Sequence, residues 1–137
     1  MAEKLCGLRK KSGGGLKETV LWTNNAPTSD LDAQTVTLSD DITKYKYIAV
    51  NYNYSSTNTT EQYQYQVIMP VSVFVKSVYP VQNYIPQMQL GVYSSIANVR
   101  TVMYVSATSV RFSPANNVGQ TGTSNNRCIP TSIVGLK

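Results

Sequence analysis

Histidine is absent from this chain. That removes the side chain that most often acts as general base, completes a Ser–His–Asp triad or binds a transition metal. Cysteine is almost absent. Cys6 and Cys128 stand at opposite ends with no motif around them, too few for a structural zinc site. Both thiols are expected to be reduced, in a protein made in the cytoplasm, because Met1 to Lys11 lacks the apolar centre of a signal peptide. No apolar run reaches the length of a membrane-spanning helix, so no membrane insertion is expected. Charge is also scarce: 14% of residues are charged, where ordinary domains carry about a quarter. The carboxylates after the first seventeen residues are Glu18, Asp30, Asp32, Asp40, Asp41 and Glu61. A carboxylate pair can serve a glycosidase, but Asp30 with Asp32 and Asp40 with Asp41 both sit among turn formers and read as turn chemistry. Gly13-Gly14-Gly15 is not followed by the residues of a phosphate-binding loop. No catalytic residue, metal ligand or cofactor is expected.

What remains is polar without being charged. The 137 residues suit one domain, and 42% of them are hydrophobic, enough for a core without staples. Asn, Gln, Ser and Thr must supply the surface. Ten tyrosines accompany only two phenylalanines and one tryptophan. Tyr is enriched at interfaces, where its ring packs and its hydroxyl bonds, and it also favours strands. Trp22, Tyr52, Tyr54, Tyr63 and Tyr65 are therefore candidates for a subunit interface or for the core.

The net charge of +5 is uneven. Residues 1–17 carry Lys4, Arg9, Lys10, Lys11 and Lys17 against Glu3, a net +4; seven cations against six anions leave +1 for residues 18–137. Residues 1–17 read as a basic attachment arm, uncoupled by Gly13 to Gly15. Leu5 and Leu8 are its apolar anchors, and Lys4, Arg9, Lys10 and Lys11 suit acidic groups on a partner protein. A net +4 is thin for a nucleic-acid arm, so nucleic acid is not the expected partner.

Residues 18–137 read as strands and turns. Thr19 to Trp22 is short and apolar, and residues 23–33 are a connection of turn formers. Gln34 to Leu38 alternates with period two, as does Tyr45 to Tyr54, where Ile48, Val50, Tyr52 and Tyr54 share a face. From Tyr63 to Val75 every odd position is apolar or aromatic, so one long strand is expected with Val67, Met69, Val71, Val73 and Val75 buried. Pro70 marks an edge or bulge in it, or a bend between sheets, while Ile68 and Phe74 interrupt its polar face. Ser77 to Pro86 is a connection, and Met88 to Val92 a strand. Asn98 to Val105 and Thr108 to Phe112 form a hairpin. Asn116 to Arg127 reads as loop, and Cys128 to Lys137 as the last strand. About eight strands with no long helix predict an all-β fold: a single antiparallel, jelly-roll-like sandwich behind an extended N-terminal arm.

The stretch LWTNNAPTSDLDAQTVTLS at residues 21–39 resembles the start of a family of tailed-bacteriophage fibre proteins, the head or tail fibre-like proteins of the virion. YKYIAVNY, YQVIMPV and RTVMYVSATSVRF are similar to that family's central and later strands, and IPTSIVGLK at residues 129–137 to its closing segment. Thr131, Ser132 and Val134 depart from the aromatic and basic residues of that segment. The resemblance spans roughly residues 19–137. It implies an exposed β domain of a virion, a homotrimer without enzymatic activity, attached to capsid or tail proteins and touching the host surface, with a glycan as a possible ligand there. Two other readings fit the residues: a carbohydrate-binding module, since Tyr, Asn and Gln on a sheet suit sugars, and a small coat protein whose arm neutralises nucleic acid.

Overall fold

The structure, a computed structural model, describes residues 15–53, 64–78, 88–92, 97–118 and 128–137. The arm residues Lys4, Leu5, Leu8, Arg9, Lys10 and Lys11, together with Cys6, Tyr54 and Tyr63, lie outside them.

The described residues form an antiparallel β-sandwich. Its strands are β1 (Glu18–Thr23), β2 (Gln34–Thr37), β3 (Tyr47–Asn53), β4 (Gln64–Pro70), β5 (Met88–Val92), β6 (Ala97–Ser106), β7 (Ser109–Phe112), β8 (Asn116–Val118) and β9 (Ile129–Leu136). One sheet has the order β1-β9-β3-β4 and the other β2-β7-β6-β5, with the short β8 beside β6. The last strand thus lies between the first and the third.

Alternation decides which side chains enter the gap between the sheets. From the first sheet come Leu21, Ile48, Val50, Tyr52 and Ile133; from the second come Val36, Met88, Leu90, Val102, Val110 and Phe112, all buried in one cluster. Each such side chain contributes about 1.5–3 kcal/mol by leaving water. The Tyr52 hydroxyl also joins the sheets, donating to the Gly91 carbonyl at 2.9 Å and accepting from the Gly91 N–H at 3.2 Å. A buried phenol needs such a partner.

The expected strand from Tyr63 to Val75 is corrected. β4 ends at Pro70, on the sheet's edge, and a one-turn helix α1 (Val71–Phe74) follows. Tyr65, Val67 and Met69 pair with Tyr52, Val50 and Ile48 on the inner side, as the alternation requires, but of the five residues expected to be buried only Val71 is; Val67, Met69, Val73 and Val75 are half-buried. Phe74 is wholly buried instead, edge-on to Tyr104 at 6.2 Å between ring centroids. Pro70 lacks the N–H to continue a ladder. Burial at 71 and 74 then follows helical spacing, and the gain from burying a whole phenyl ring outweighs the β preference of three valines. A second correction concerns the expected loop at Asn116 to Arg127: its first three residues form β8, paired with Ala97, Asn98 and Val99.

Candidate functional site

The outer face of the β1-β9-β3-β4 sheet is the first candidate. Cross-strand register sets Val20 opposite Val134, Val134 opposite Ala49, and Ala49 opposite Ile68, one apolar row across four strands. The centre of the row is shielded by its neighbours, with Ala49 at 0% and Val134 at 6% exposure, while its ends stand open, Val20 at 57% and Ile68 at 52%. Leu136 and Tyr47 extend it on one side. On the other side the row gives way to neutral polar groups. The Asn51 amide donates to Ser132 Oγ at 3.0 Å, and Gln66 Nε2 donates to Asn51 Oδ1 at 2.9 Å. These side chains satisfy one another without charge and so are inexpensive to cover with another surface.

The second candidate is an open concavity of about 370 Å³ at the end of the sandwich where β1 leads into β2. Trp22, Asn25, Asp30, Asp32 and Gln34 are among its lining residues. Residues 23–33 are the connection the turn formers indicate, and it is tied down from below. Asn24 Nδ2 donates to the Pro130 carbonyl at 2.8 Å, and Asn24 Oδ1 accepts from the Ala26 N–H at 2.8 Å.

Beneath this loop lies Arg100, fully buried. Its Nε donates to the Cys128 carbonyl (3.1 Å), Nη1 to the Ser113 carbonyl (2.6 Å) and Nη2 to the Leu31 carbonyl (2.8 Å). One guanidinium thus fastens three chain segments, a task for which its planar fork is suited and an ammonium is not. Burial lowers its pKa to about 10, with the nearby Cys128, Asp30 and Asp32 pulling the other way, so it remains charged near neutrality. Sequence reasoning did not single out Arg100. It sits at an even position of a strand whose neighbours Val99 and Thr101 give no sign of an inward charge, and its partners are backbone carbonyls distant in the chain.

Trp22 is half-buried on the inner side of β1, tilted against Phe112 at 5.4 Å between centroids. Tyr52 lies in the core, and Tyr65, 37% exposed at the sheet edge, stacks on it at 5.5 Å. The structure therefore brings Tyr52 and Tyr65 together and seats Trp22 on a phenylalanine of the opposite sheet. The outer-face row involves none of the three. Among the described residues, no group of three or more Cys, Asp or Glu side chains is placed to hold a metal ion, and no helix is long and apolar enough to cross a membrane. The Cys128 side chain is buried.

The fold is that of an all-β sandwich domain. No protein-family model matches the chain, and no curated protein matches it in sequence.

Proposed function

We propose that this chain is a non-enzymatic structural subunit of a tailed-phage virion: a short head or tail fibre or decoration protein, attached through residues 1–17 and assembled with identical copies. The resemblance in residues 19–137 supplies the phage context and the number three. The observation that carries assembly is the outer-face row Val20–Val134–Ala49–Ile68, an apolar stripe with open ends flanked by uncharged polar side chains. Such a composition suits the core and rim of a subunit interface.

Light scattering of the purified full chain at micromolar concentration tests this reading. A trimer is expected, with Val20→Asp and Ile68→Asp each shifting it toward monomer. A monomer at all concentrations, with no symmetric contact in the particle, overturns it. Deletion of residues 2–12 tests attachment: particles made with the shortened chain should lack the subunit while the domain still folds.

The concavity beside Trp22 favours a second reading, a carbohydrate-binding module, because an aromatic face with amide and carboxylate groups is the usual equipment for a sugar. Glycan-array binding by the isolated chain, lost in Asp30→Ala with Asp32→Ala, would support it over the first.

A further inference from the structure

The sandwich ends in a row of lysines. Lys17 and Lys137 exchange backbone hydrogen bonds of 3.1 and 3.0 Å, and the Lys46 N–H donates to the Leu136 carbonyl at 2.8 Å. Since Leu136 lies opposite both Glu18 and Tyr47, the next step of the ladder sets Lys17, Lys137 and Lys46 side by side on the continuations of β1, β9 and β3. All three are exposed. Among the described residues none of them has an ion-pair partner; Lys44 nearby is paired with Asp40 at 2.8 Å. Lys137 Nζ rests 5.0 Å from the centroid of the Tyr45 ring. Like charges directly opposite in a sheet repel, and folding alone gains nothing from three of them abreast.

Apolar surface accompanies the charge. Beside Lys46 lies an open groove of about 510 Å³ whose lining includes Tyr45, Tyr47, Pro70, Val71 and Val75.

We propose that this end of the sandwich is a docking site for an acidic segment of another protein. Its carboxylates face Lys17, Lys46 and Lys137, and one of its apolar side chains occupies the groove lined by Pro70, Val71 and Val75. Nucleic acid fits less well, because protein contacts to it fall largely on phosphate and sugar, and such a backbone has no use for an apolar groove. The proposal deepens the structural-subunit reading by naming the partner's chemistry, and rests on it only for where that partner is found.

The test is fluorescence anisotropy on the full chain at low ionic strength, with three labelled probes: a Glu–Leu peptide, a Glu–Ser peptide of equal charge, and duplex DNA. The Glu–Leu peptide should bind most tightly and weaken with salt. Reversing Lys17, Lys46 and Lys137 to Glu should weaken it roughly tenfold or more, as three surface charge contacts allow. Ser72→Trp, which fills the groove, should weaken the Glu–Leu peptide and spare the Glu–Ser peptide. If the charge-reversed chain does not fold, Lys→Gln at the same three positions carries the same comparison. Unchanged binding by the folded variant, tighter binding of DNA, or no binding of either peptide overturns the proposal. Ile68→Asp, which disrupts the oligomer of the earlier reading, should leave peptide binding to the domain intact, so the two failures are distinguishable.

Discussion

Arg100 has the most to lose from substitution. Arg100→Met would fit the space but strand the Leu31, Ser113 and Cys128 carbonyls, each of which now accepts a charge-assisted bond. A loss of about 3 kcal/mol or more is expected, because leaving buried polar groups unpaired costs the full desolvation of each. Urea unfolding would read it as a lower midpoint at an unchanged slope. One of these carbonyls belongs to Cys128, which holds a φ of 53°, a left-handed conformation uncommon outside glycine. The guanidinium fixes the turn from which β9 begins. Gly135 shows a different constraint. A Cβ there would meet the Tyr45 ring at 2.6 Å. Gly135→Ala should destabilise by roughly 1–3 kcal/mol as the ring is displaced, and Tyr45→Leu should recover part of that loss in the double variant, as a thermodynamic cycle would reveal.

At the level of elements, the turn before β3 makes stability depend on acid. Asp41 caps the 3₁₀ turn Ile42–Lys44, accepting from the Thr43 N–H at 2.8 Å. Asp40 accepts from Lys44 Nζ at 2.8 Å, from the Asp41 N–H at 2.8 Å and from the Tyr45 hydroxyl at 3.0 Å. The bond from Lys44, helped by the other two, lowers its pKa from 3.8 to about 2. A carboxylate depressed in the folded state stabilises at pH values above its unfolded pKa, and this contribution fades as pH falls through 3.8 toward about 2. Asp40→Asn should flatten the melting-temperature profile over that window: the variant melts below the parent at neutral pH, and the gap closes as pH falls toward about 2. This turn was legible in the sequence as Ser39-Asp40-Asp41, as were most strands, because period-two alternation and turn residues are local signals. The Tyr63–Val75 segment was misread beyond Pro70 because Val71, Val73 and Val75 satisfy a strand while Val71, Phe74 and Val75 satisfy a helix. Only the space beside Tyr104, a contact some thirty residues away in sequence, decides between them. The outer-face row was equally hidden. Val20, Val134, Ala49 and Ile68 come from four separated segments, and only register aligns them.

For the whole molecule, the two ends of the sandwich carry different groups. Lys17, Lys46 and Lys137 gather where β1 begins, with Glu18, Asp40 and Asp41 at the same end, while Asp30 and Asp32 belong to the loop at the other end of β1. The encounter of the lysine row with an acidic surface should slow as salt rises. The position of β9 between β1 and β3 carries a consequence in time. During synthesis β1 emerges early, yet the strand that joins it to the rest of its sheet is at residues 129–136. Until that strand arrives, the apolar inner faces of Leu21 and Ile48 have no completed sheet to share. The β1–β9 pairings span more than a hundred residues, the kind of non-local contact that slows folding. The nascent chain must therefore wait until residues 129–136 have emerged, and a polypeptide cut before them has an open, sticky gap where the strand between β1 and β3 belongs.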